Sequence, residues 1–232
     1  MESPLIQNRL ANPALPYVAP FLLFIALMAS SETIVNLAGL SNSFDERWLY
    51  AIRTVLVSLA VIWFWPKYSE LHRVFDLRLM QIIWALALGI VVFVAWINLD
   101  FGWLKMGEST GFVPLDADGN ILWAHVIPRI LGAAILVPII EELFWRSFLM
   151  RWLERSDFLT VEPGQIKMKS LAISSAIFAV EHHLWFAGLV AGLAYGWLYM
   201  RTANLWYPII AHATTNAVLG IWVLHTGNWQ FW

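Results

Sequence analysis

The 232-residue chain has no cysteine. That excludes disulfides, thiolate zinc sites and a cysteine nucleophile, and it leaves the redox compartment unread. Charge is the second scarcity: Asp, Glu, Lys and Arg make up 13% of the residues, where a soluble domain carries about 25%. No basic stripe occurs and the formal net charge is −2, which argues against nucleic acid as a partner. The segments from Pro163 onward lack the low complexity of a linker, so the simplest count is a single integral membrane domain over residues 1–232. What fills the chain instead is apolar, with 60% hydrophobic residues and a mean hydropathy of +0.66. Lipid tolerates the greasy surface this demands and water does not. Fifteen Trp fit the same solvent, because indole rings prefer the membrane interface.

No cleavable signal peptide is evident. The first apolar run starts near Tyr17, after a polar stretch with Glu2 and Arg9, and reads as a first anchor. A span needs about 20 mostly apolar residues. Tyr17–Leu40, Trp48–Trp65 (stopped by Pro66) and Met80–Ile97 are the first three candidates. Leu99–Asn120 is a polar connection in which Asp116–Asn120 predicts a turn, since the other ligand positions of a calcium loop are missing. Ile121–Leu153 predicts one long helix with kinks at Pro128 and Pro138. Leu171–Met200 is too long for one span and short for two. Its polar break at Glu181-His182-His183 predicts two short helices joined inside or near the membrane. Tyr207–Leu224 is the last span. Arg9, the Lys67–Arg78 loop and the Arg151–Lys169 loop carry the positive charge, so the N-terminus and both loops are expected on the cytoplasmic side.

Three polar clusters interrupt these helices. In the first, Glu142 and Arg146 are four residues apart and can pair on one helix face, while Glu141 points about 100° away and is left for chemistry. The competing account is that the helix ends here and all three groups are solvated. The apolar Leu143, Phe144, Trp145, Phe148, Leu149 and Met150 that follow weigh against it. The second cluster is Phe178 to His183. Neutral imidazole is a general base and a common metal ligand, but adjacent His182 and His183 cannot share a face. For His183 or Glu181 alone, a place at the membrane surface is the better reading. In the third, His212 and Asn216 share a face and could donate two hydrogen bonds to one oxygen. They could equally glue two helices together. Taken jointly, a carboxylate, an imidazole and a donor pair are the parts for amide hydrolysis by an activated water.

At these residues the chain resembles the CAAX protease and bacteriocin-processing (Abi) family of intramembrane proteases. The family signature is matched by Glu141-Glu142-x-x-x-Arg146, Phe178-x-x-x-His182 and His212-x-x-x-Asn216, in order, within roughly residues 120–225. The resemblance implies an all-α, polytopic transmembrane bundle of roughly seven to eight helices around a membrane-embedded cavity. It implies that Glu141 and His182 activate water, that His212 and Asn216 stabilise the oxyanion, and that Glu142 and Arg146 support them. It also implies a peptide or protein substrate, lipid-modified or membrane-anchored, since eukaryotic members trim prenylated CAAX proteins. The Trp-rich run from Glu141 to Leu149 is similar to a subgroup found beside exosortase systems. His183 directly after the motif histidine is a departure, and it leaves open which imidazole enters the cavity.

Metal use stays open at this level. Glu141, His182 and His212 could supply three zinc ligands, whereas the same residues also work without metal, the reading favoured here. A His-Glu-x-x-His zincin helix is absent. A serine protease would have to use Ser41 in Gly39–Asn42 at a helix end, and Asp100, Asp116 and Asp118 fall outside the spans that an aspartyl protease needs. The rival of another class is a non-catalytic receptor, scaffold or transporter using the same polar residues. No internal repeat supports transport.

Overall fold

A computed structural model describes residues 12–40, 43–109 and 111–232. Arg9, which entered the orientation argument, and Ser41 and Asn42 of the serine-protease fragment lie outside the described residues. Among the described residues there are seven principal helices and no strand: α1 (Leu15–Leu37), α2 (Trp48–Phe64), α3 (Leu79–Asn98), α4 (Trp123–Met150), α5 (Met168–Val180), α6 (Trp185–Thr202) and α7 (Trp206–Thr226). Five of them, α1 to α4 and α7, are long and apolar enough to cross a membrane. The chain is an integral membrane protein with an all-α fold. Side chains such as Trp63, Leu79 and Val91 remain 63–79% exposed, as lipid-facing groups do.

α4 is continuous through Pro128 and Pro138 but widens into π turns at Gly132–Leu136 and Leu143–Met150. Such turns accommodate an extra residue and frequently mark functional sites. The first one has a local cause and consequence. The Val137 N–H bonds to Gly132 O, so the next donor in that register would be residue 138, a proline without an N–H. The carbonyl of Ala133 is thereby left without a backbone donor.

α5 and α6 form the antiparallel hairpin expected from the break at 181–183. At about 1.5 Å per residue, the 13 residues of α5 rise only about 20 Å, too short for a bilayer core of about 30 Å. Backbone groups at the hairpin tip still need partners. The 99–122 loop supplies one, Met106 N–H donating to His183 O (2.8 Å), and the Trp185 indole of the hairpin donates in turn to the loop's Trp103 O (2.9 Å). Gly188, Gly192 and Gly196, spaced by four on α6, let the two helices approach. A Cβ on Gly192 would stand 3.0 Å from Ser175 Cα, and one on Gly188 would stand 3.2 Å from Ala179 Cα. Small residues of this kind are the usual means of close helix packing in lipid.

The charged loops sort by end. Lys67, Arg73, Arg78, Arg151, Arg155, Lys167, Lys169 and Arg201 occupy the end where α1 begins, which is tied together by Tyr68 OH donating to Pro16 O (2.8 Å) and by Arg73 reaching Ala203 O (3.2 Å). There Glu70 accepts from Arg151 (2.8 Å), from the Tyr199 hydroxyl (2.6 Å) and from the Ser147 hydroxyl. The opposite end carries Arg47 and Lys105 among Asp45, Asp100, Glu108, Asp116 and Asp118. The expected turn at Asp116 forms, its carboxylate accepting the N–H groups of Asp118 (3.0 Å) and Asn120 (2.8 Å).

Candidate active site

The two adjacent glutamates of α4 have opposite surroundings. Glu142 is fully buried, with Oε2 3.0 Å from Arg146 Nε and Oε1 2.9 Å from His212 Nδ1. It is therefore held from its own helix and from α7. The Arg146 guanidinium lies 4.8 Å over the Phe178 ring and reaches Gly192 O at 3.4 Å, which ties the same node to the α5–α6 hairpin. Burying such a charge is costly unless opposite charge lies close, and here the Arg146 guanidinium does, as an ion pair rather than an aligned hydrogen bond at Oε2. Glu141, about 100° round the helix, faces a cavity instead. Its side chain is 13% exposed, and Oε2 is buried without a hydrogen-bond partner, 4.0 Å from His212 Nε2.

His182 comes from the hairpin tip. Its Nδ1 lies 2.8 Å from Phe178 O, and a carbonyl can only accept, so Nδ1 carries the proton. In the neutral ring Nε2 is then an acceptor, the form a general base requires. Phe178 (4.6 Å) and Trp96 (5.3 Å) wall the ring. His183 turns the other way: its Nδ1–H donates to Met106 O (3.2 Å), binding the 99–122 loop. Of the two adjacent imidazoles, His182 lines the cavity.

His212 and Asn216 lie on the inward face of α7. With Nδ1–H given to Glu142, His212 has Nε2 left for the cavity, an acceptor in the neutral ring and a donor in the imidazolium. Asn216 differs from the expectation of a donor pair aimed jointly at one oxygen. Its Nδ2 donates to Ala133 O (2.8 Å), the carbonyl orphaned by Pro138, and only its second amide hydrogen is uncommitted. An unpaired buried carbonyl is expensive, and this bond relieves it.

Glu141, His182, His212, Asn216 and Phe178 line one cavity of about 190 Å³, with Tyr50, Arg129, Tyr195 and Thr215. At about 30 Å³ per water, the space admits several. An adjoining cleft of about 170 Å³, lined by Ser109, His183 and Gln230, shares Trp96, His182, Phe231 and Trp232 with it and leads toward the end with few positive charges. The zinc set considered for Glu141, His182 and His212 does not assemble. Among the described residues no group of three or more His, Cys, Asp or Glu side chains is placed to hold a metal ion. His212 commits Nδ1 to Glu142, and its Nε2 stands 4.0 Å from Glu141, whereas two ligands of one tetrahedral zinc are about 3.4 Å apart for bonds of about 2.05 Å.

Sequence reasoning missed several residues of this site. Tyr195 stacks on His212 (5.0 Å, 19°), and its hydroxyl donates to Thr215 Oγ1 (2.6 Å), fixing the ring plane. Arg129 was overlooked although a cation with no carboxylate a turn away inside an apolar helix is itself a functional signal. Tyr50, Trp96 and Trp232 carried no signal beyond composition, because only the fold brings them here.

Residues 123–218, 96 of the chain's 232, match the family model described as Type II CAAX prenyl endopeptidase Rce1-like. That segment runs from the start of α4 into α7 and contains every motif residue discussed above. No match is found among curated proteins or among solved structures.

Proposed function

The chain is Rce1-like over residues 123–218, and from that premise we propose that it is an intramembrane endopeptidase whose Glu141 and His182 activate a water. The observation that carries the reading is the Glu141 carboxylate, partnerless on Oε2, in the same cavity as the acceptor nitrogen of His182. A water between them gives its proton to this pair as its oxygen bonds to the peptide carbon. The proton then passes to the leaving amine as the C–N bond breaks, the usual division of labour in general acid–base catalysis. His212 Nε2, when the ring carries both protons, and the second amide hydrogen of Asn216 are the donors for the oxyanion. Glu142 and Arg146 hold His212 in place. No metal enters these steps, and the catalytic core corresponds to residues 120–225 within one membrane domain.

The substrate on this reading is a peptide or protein kept at the membrane by a lipid or by its own anchor, because the cavity lies among helices of the bundle. Positive residues stay on the cytoplasmic side in most membrane proteins, which supports an orientation with the N-terminal end of α1 in the cytoplasm and the cavity's adjoining cleft on the opposite face.

Purified protein in lipid nanodiscs, incubated with a mixed peptide library and read by mass spectrometry, tests the proposal. Cleavage should fall about 10³-fold or more in Glu141→Ala and in His182→Ala, with thermal unfolding unchanged. Cleavage indifferent to both substitutions would refute the site. Binding without cleavage would favour the receptor reading.

A further inference from the structure

Besides Arg146, which Glu142 pairs, two arginines sit inside apolar helices: Arg53 on α2 and Arg129 on α4. Neither makes an ion pair among the described residues, and the Nε of each is buried without a hydrogen-bond partner. A charge at this depth is costly and marks function more often than packing. Aromatic faces recover part of the cost. Arg53 lies over Phe24 (4.5 Å) and Tyr50 (5.0 Å), and Arg129 lies over Tyr50 (4.7 Å), Phe112 (4.5 Å) and Trp232 (5.7 Å). Stacking engages the faces of a guanidinium and leaves its N–H edge to a planar anion. Arg129 also lines the cavity that holds Glu141, His182 and His212.

We propose that Arg129, backed by Arg53 through the shared Tyr50 ring, is an anion subsite that binds a carboxylate of the peptide substrate. The proposal rests on the peptidase reading above and adds a rule for substrate choice. Arg129 and Glu141 are twelve residues apart on α4, at most about 18 Å along the axis at 1.5 Å per residue, since the π turn at Gly132–Leu136 lies between them. An extended peptide advances about 3.3 Å per residue, so the carboxylate falls within about five residues of the bond that is cut, the arginine and glutamate side chains spanning part of the gap. An acidic side chain and a free C-terminus present the same chemistry, and both are compatible with the site. Arg129 is a positioning residue for the substrate and takes no part in bond breaking.

The test uses ten-residue peptides with the full-length protein in nanodiscs. One peptide is neutral with an amidated end, a second is neutral with a free carboxylate, and the others carry one Glu at successive positions. The expected result is a preference of about tenfold or more in kcat/KM for a carboxylate at one position within about five residues of the cut, carried by KM and weakened by added salt. The free-carboxylate peptide then separates a terminal from a side-chain ligand. Arg129→Gln should abolish the preference, Arg129→Lys should keep most of it, and Arg129→Glu should invert it in favour of a Lys-bearing peptide. A purely packing role predicts none of these reversals. Equal rates for acidic and neutral peptides in the unsubstituted protein, or a preference intact in Arg129→Gln, overturns the proposal. Should no peptide be cut, binding to Glu141→Gln followed by Trp fluorescence decides. Tighter binding of acidic peptides, lost on adding Arg129→Gln, upholds the subsite while sinking the peptidase reading. Equal affinities overturn the subsite itself.

Discussion

The first three helices and the four that begin at Trp123 solve different problems with similarly apolar sequences. In α1, α2 and α3 the most apolar stretch is 22%, 11% and 22% buried inside the protein, whereas in α4 and α7 the figures are 33% and 50%. The first group mostly meets lipid and can be varied wherever a greasy side chain suffices. The second is packed around charged and polar groups whose partners come from other helices: Glu142 from α4 on His212 from α7, Arg146 on the α5–α6 hairpin, Asn216 on the carbonyl freed by Pro138. Polar groups in lipid demand specific partners. Tolerance to substitution should therefore divide at the same boundary.

The largest structural effect is expected at Glu142. Glu142→Gln strips Arg146 and His212 of a shared carboxylate and should cost about 3–5 kcal/mol, the price of stranding a buried charge. It is read as a lowered Tm in detergent and a broadened His212 side-chain NMR signal. Gly192→Leu comes next. Its side chain would collide with Ser175, prise α5 from α6 and displace His182, at about 1–3 kcal/mol and with loss of activity. Outside the membrane the effects shrink. The Glu154 carboxyl is held below the usual carboxylate range, first by the Ser170 hydroxyl (2.5 Å) and then by the Lys167 N–H (2.9 Å). A depressed native pKa gives stability that is complete above the unfolded value of about 4.3 and disappears as pH falls through the native one. Glu154→Gln should thus cost about 0.5–1 kcal/mol at pH 7 and nothing near pH 3, by Tm at the two pH values. Ile62→Ala on lipid-facing α2 should stay within about 0.5 kcal/mol. A cost of several kcal/mol there would break the comparison.

The same division governs how much could be read beforehand. Hydropathy alone located all five spanning helices, because the bilayer imposes their length. The pairing of Glu142 with Arg146 was visible because four residues make one helical turn, and the hairpin break was visible as three polar residues in an apolar run. The bond from His212 to Glu142 was not, since it joins residues 70 apart in sequence and periodicity says nothing about which helix face meets which. The engagement of Asn216 with Ala133 was hidden for another reason. It depends on the π turn at Gly132–Leu136 followed by Pro138, whereas a proline in a helical sequence predicts only a kink.

Joint action of Glu141 and His182 on one water is measured most directly by a double-mutant cycle on peptide cleavage. Groups that work as a unit lose nearly everything when either is removed. Single-turnover rates of Glu141→Gln, His182→Ala and the double variant should be equally low within about threefold, all three proteins keeping the native Tm. Losses that multiply, or a Glu141→Gln protein cutting at the unsubstituted rate, would contradict the account.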